Sequence, residues 1–161
     1  MPALTDMGMT LTAAATVVAT FTLTGVVFQV IGGLLGDRVR KPPAIAAVVA
    51  VQGLGMVAAA TFSSVAGAYV FAVLYGIGFG GRVPLLTAIR GDYFGRKNFA
   101  TIFGFSQLPM NIAMMGAPIA AGYLFDTLGS YAVPFLAVAA MNAVGAIVIL
   151  LARKPVLPRA A

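Results

Sequence analysis

At 161 residues, with 61% hydrophobic and 9% charged side chains, the chain falls far below the roughly 25% charged share of soluble domains, so water is not its main solvent. It has no Cys and no His, which removes disulfides, thiolate metal sites and imidazole chemistry, and neither an enzyme, a metal nor a cofactor is expected. The net charge of +6 does not signal nucleic acid, because the basic residues sit in short segments between apolar stretches, where anionic lipid headgroups are the natural neighbours.

The predicted elements follow from the uncharged stretches 7–36, 42–81, 98–125 and 127–152, each longer than the ~20 residues that cross a bilayer. Residues 1–10 form an external N-terminal segment. Met1–Gly8 carries no positive charge, so the first span is expected to be retained rather than cleaved as a signal peptide. The first transmembrane helix covers 11–35. Gly36-Asp37-Arg38 and the Pro42-Pro43 pair stop it and make a cytoplasmic loop at 36–42. The stretch 42–81 is 40 residues long, too many for one crossing, and the Ser and Gly of Ser63-Ser64-Val65-Ala66-Gly67 divide it. That gives helices at 43–62 and 67–89 around an external turn at 63–66. A second basic loop occupies 90–98, a fourth helix 99–125, an external turn 126–130, a fifth helix 131–152, and a cytoplasmic tail 153–161. The expected fold is all-α, a polytopic membrane bundle of five transmembrane helices.

Lys and Arg number 0, 3, 0, 3, 0 and 3 in the successive non-helical segments: none before the first helix, Arg38, Arg40 and Lys41 after it, Arg90, Arg96 and Lys97 after the third, and Arg153, Lys154 and Arg159 in the tail. Positive-inside bias then puts the N-terminus outside and the C-terminus in the cytoplasm, as an odd number of crossings requires. The expected location is the plasma (inner) membrane.

Helices attract one another weakly in lipid, so close packing relies on small residues. The 19 Gly supply them, and Gly32-xxx-Gly36 and Gly76-xxx-Gly80 read first as helix contacts. Pro84, Pro109 and Pro118 are expected to interrupt their helices, a feature of transporters but not theirs alone. Arg82 is the one formal charge inside a predicted span, about 7–8 Å from its midpoint toward the cytoplasm at 1.5 Å per residue. It reads either as a cation facing a cavity that binds an anionic substrate or as a side chain snorkelling to the interface. Tyr75, Gln107 and Asn111, with Gln29, Gln52 and Asn142, are candidates for the same cavity or for interhelical bonding. No Asp or Glu falls within a span, so a carboxylate for proton coupling is not expected here.

Gly32-Gly33-Leu34-Leu35-Gly36-Asp37-Arg38-Val39-Arg40-Lys41-Pro42 resembles the Gly-x-x-x-Asp-Arg-x-x-Arg-Lys/Arg loop signature of major facilitator superfamily transporters. Gly76-Ile77-Gly78-Phe79-Gly80-Gly81-Arg82-Val83-Pro84 and Asp92-Tyr93-Phe94-Gly95-Arg96 are similar to the tenth helix and following loop of the branch with monocarboxylate and oxalate/formate carriers. Leu124-Phe125-Asp126-Thr127-Leu128-Gly129-Ser130-Tyr131-Ala132-Val133-Pro134-Phe135 resembles that branch's last external loop. The resemblance implies a partial half-domain, helices eight to twelve of twelve, with Pro2–Gly8 at the end of helix seven. It implies a secondary carrier for a small organic anion such as a carboxylate, working by alternating access. Asp37 and Arg38 would be a cytoplasmic latch, or only a stop that sets orientation. The expected partners are membrane lipids, a small-molecule solute, and the missing N-terminal half or another membrane subunit, but no nucleic acid. ATP hydrolysis is not expected, since Gly-x-x-x-x-Gly-Lys-Ser/Thr is lacking. The alternative is a non-transporting subunit packing through its Gly and Ala faces.

Overall fold

The computed structural model describes residues 9–61 and 64–152, without the side chains of residues 96–98. Outside the described residues lie most of the predicted N-terminal segment, Phe62 and Ser63, and the tail with Arg153, Lys154 and Arg159. The described residues form five helices long and apolar enough to cross a membrane, here α1 (Leu11–Gly36), α2 (Lys41–Thr61), α3 (Val65–Gly95), α4 (Phe99–Leu128) and α5 (Ala132–Leu151).

The helix ends obey capping chemistry more closely than charge. Thr10 and Ser64 accept from the backbone N–H of Ala13 and Gly67 to open α1 and α3, as short hydroxyl side chains do at an N-cap. Pro42 and Pro43 do not act as breakers; they fall in the first turn of α2, which starts at Lys41. A first-turn proline lacks only an N–H that would have no helical acceptor. The predicted loop 90–98 is helical as well. Helical geometry runs from Val65 to Leu128 and departs from it only at Gly95, φ 71° and ψ 171°, a conformation open essentially to glycine alone. Charge marks where a helix leaves the bilayer, but a water-exposed helix can continue through Arg90 and Asp92. Pro84, Pro109 and Pro118 also lie inside continuous helix, contrary to the expected interruptions. Gly129 closes α4 in the left-handed region at φ 65°, its N–H reaching Phe125 O.

Four helices pack as a row, α1 on α3, α3 on α2, α2 on α5. Glycine sets the spacing. A Cβ on Gly76 would stand 2.9 Å from Phe21 O, and one on Gly32 2.9 Å from Gly81 O, so α1 and α3 touch backbone to backbone. A Cβ on Gly55 would lie 2.9 Å from Tyr75 N, which brings α2 equally close to α3. Between the glycines, Val17 meets Ala68 and Ala72, and Ile45 and Val49 meet Leu85 and Ile89 with Ala146 and Ile149 against them. This pairing makes α1, α3 and α5 run one way and α2 the other. Thr20, Thr22, Thr61, Thr87 and Thr127 return their hydroxyls to the carbonyl one turn back, satisfying polar groups where lipid offers no partner.

α4 stands apart. None of its most apolar window is buried, against 44% for α2, and Phe105, Ile112, Met115 and Ile119 are all more than two-thirds exposed.

Candidate functional site

Because α4 does not lie flat on the row, clefts open between it and the other helices. The larger, about 550 Å³, has walls from α2 (Gln52), α3 (Tyr75, Arg82), α4 (Ala113, Ala117) and α5 (Asn142). The smaller, about 220 Å³, lies between α3 and α4 and is lined by Arg82, Thr87, Arg90, Phe103, Gln107 and Met110. Arg82 belongs to both walls.

Arg82 is half-buried, and among the described residues it makes no ion pair. Its guanidinium lies over the Phe79 ring one turn back, 5.5 Å from the centroid, a cation–π contact that holds the head group without neutralising it. Phe79 closes an aromatic ladder: Phe71 to Tyr75 5.3 Å, Tyr75 to Phe79 6.3 Å, with Phe21 of α1 between Tyr75 and Phe79 at 5.6 and 5.9 Å. Spacing of four residues puts these rings on one face of α3.

The other sequence-derived candidates separate. Tyr75, Gln52 and Asn142 share the larger cleft with Arg82, and Gln107 shares the smaller one. Asn111 and Gln29 are exposed and line neither. Asn142 donates its amide to Val138 O at 2.9 Å. Gln52 is 2% exposed, and its Oε1 has no hydrogen-bond partner among the described residues.

Arg90 was missed. Assigned to a loop by its charge, it is one face of α3 with Arg82 and Leu86 at four-residue spacing, and it lies over Phe103 of α4 at 5.4 Å. That spacing was available in the sequence once a charge is no longer equated with a helix end. Asp37 and Arg38 are exposed at the end of α1, with no ion pair among the described residues. The ion pair at this end of the bundle joins Lys41 of α2 to Asp92 of α3 at 2.6 Å. Tyr93 donates to Ala152 O at 3.3 Å beside it, so the ends of α3 and α5 and the start of α2 are gathered together.

Compared with known proteins, residues 1–161 match the family model described as Major Facilitator Superfamily. No curated protein matches the chain.

Proposed function

The chain belongs to the Major Facilitator Superfamily, a family of membrane transporters, and we propose that it forms one wall of a secondary carrier for a small organic anion. It is an integral membrane protein, with five helices long and apolar enough to span among the described residues. The observation that carries the anion reading is Arg82: a permanently charged group half-buried inside a span, stacked on Phe79 but unpaired with any carboxylate among the described residues, in the wall of two clefts. A charge within a bundle is costly unless it is used or matched, and a carboxylate solute would match it. Tyr75 and Gln107 flank Arg82 in those clefts; Asn111 has a place in this reading only as a residue that turns inward when α4 closes. The monocarboxylate and oxalate/formate branch, and helices eight to twelve as the segment represented, fit this assignment. So does an inner-membrane location with the basic end of the bundle in the cytoplasm. Asp37 and Arg38 remain the proposed latch, with Lys41 and Asp92 as the pair beside them.

Transport by alternating access needs a second bundle to close the cavity. The test is uptake of radiolabelled carboxylates into proteoliposomes holding this chain with a complementary family half. Arg82→Ala should lower uptake at least about tenfold, the scale of one lost bond to a charged group, with membrane insertion unchanged. Undiminished uptake leaves only the snorkelling role for Arg82, and no uptake by the complemented carrier sinks the transporter reading.

One observation favours the second reading, a membrane subunit that packs against a partner protein. No part of the most apolar window of α4 is buried, and such a surface is a natural seat for other helices.

A further inference from the structure

Besides Arg82, the larger cleft is lined by a buried polar side chain that the anion reading does not use, Gln52. Gln52 sits at the seam of α2 and α3, where only glycine fits opposite it: a Cβ on Gly78 would collide with Cβ and the backbone N of Gln52. This close approach of the two backbones leaves Gln52 at the cleft wall only 2% exposed. A glutamine whose purpose is to bond helices together finds its partner on a neighbouring helix. Gln52 Oε1 finds none among the described residues, although Asn142 is close by, next to Gly53, with its amide committed to its own helix. A buried carbonyl oxygen without a partner is destabilising, and native proteins keep few of them. Those that persist at a cavity wall call for a partner that comes and goes.

We infer that Gln52 is a specificity-determining residue, and that the solute of this cleft is an organic anion that also carries a hydroxyl group within reach of the Gln52 amide. This rests on the assignment of Arg82 to the anionic end. Arg82 and Gln52 line the same cleft from α3 and α2, so a solute held by its carboxylate at Arg82 extends along the wall toward Gln52. The Gln52 amide has an acceptor on one side and a donor on the other and exchanges them by turning its last torsion. A hydroxyl can both donate and accept, so it pairs with either face. A plain alkyl or aryl monocarboxylate, its one polar group held at Arg82, has nothing left to pair with the amide and leaves it unsatisfied, and discrimination built on a buried polar group comes from the wrong ligand leaving that group unpaired.

The experiment measures binding of radiolabelled mandelate and phenylacetate, which differ by one hydroxyl, to the full chain in lipid nanodiscs. Mandelate should bind about tenfold more tightly, the scale of one hydrogen bond to a buried polar group. In Gln52→Met, close in volume and without the amide, the ratio of the two affinities should fall to about one. Equal affinities in the unaltered chain overturn the inference, and so does a mandelate preference that survives Gln52→Met. If both acids bind in an Arg82-dependent way without preference, the anion site stands and only the role of Gln52 falls. If no binding depends on Arg82, both fall together.

Discussion

Glycine has opposite consequences in the helix row and in α4. Gly32, Gly55 and Gly76 each leave room for a neighbouring backbone that a Cβ would strike, whereas around Gly104, Gly116 and Gly122 of α4 nothing lies within 4 Å of an added Cβ. The same residue type therefore builds an interface in one region and only a thin, smooth surface in the other. Small residues permit close approach, but the approach itself comes from a facing helix with a complementary groove. The largest expected effect tests this contrast directly. Gly76→Val should destabilise the bundle by about 3 kcal/mol through overpacking against Phe21 and Thr24, read as a lower midpoint in detergent unfolding. Gly116→Val should change the midpoint by no more than about 0.5 kcal/mol, as at an open surface. Equal losses at both sites would mean that α4 is packed after all in the membrane.

This contrast also marks what could be read from sequence. Four apolar stretches, the break near Ser64 that makes them five spans, and the small-residue pairs of α1 and α3 were legible because length, turn chemistry and Gly spacing are local properties. The fate of Arg90, Asp92 and Pro42 was not. Charge was read as a helix end, but a helix ends where its backbone geometry fails, and in α3 that happens only at Gly95. The site was legible as a set of polar residues inside spans, and not as a geometry. Gln107 and Asn111, four residues apart, lie near one face of α4, yet only Gln107 lines a cleft; how far along α4 that contact extends depends on the placement of a helix that little else holds, and no local pattern encodes it. Gln52 stood among six polar candidates with nothing to distinguish it; its unpaired oxygen is a property of the packed seam.

A second prediction addresses the joint between the two regions. Gly95 holds φ 71° and ψ 171°, which costs any other residue about 1–3 kcal/mol. Gly95→Ala should relieve that strain by re-angling α4 against α3. The chain has no Cys, so spin labels can be placed without altering native thiols. Labels at Val83 and Leu108, both exposed, should show a shifted or broadened distance distribution in Gly95→Ala. Labels at Val26 and Leu54, also exposed and on α1 and α2, should show none. A change at both pairs would mean that row and α4 move as one body, and would erase the distinction between them.

The smallest effect concerns the ion pair that fastens the row at its basic end. Lys41 and Asp92 meet at 2.6 Å with side chains 18% and 50% exposed, so solvent screens much of their attraction. A pair this open contributes at most about 1 kcal/mol. Lys41→Ala should lower the unfolding midpoint by less than that, and the loss should shrink further in high salt. Exchanging the charges, Lys41→Asp with Asp92→Lys, should restore most of it. If the pair instead serves as part of a latch, stability is the wrong readout: the exchanged pair would fold normally yet alter the Val83 to Leu108 distance, because the end of α3 that Asp92 occupies is also the arm on which α4 turns. A normal distance in the exchanged protein confines Lys41 and Asp92 to fastening the row.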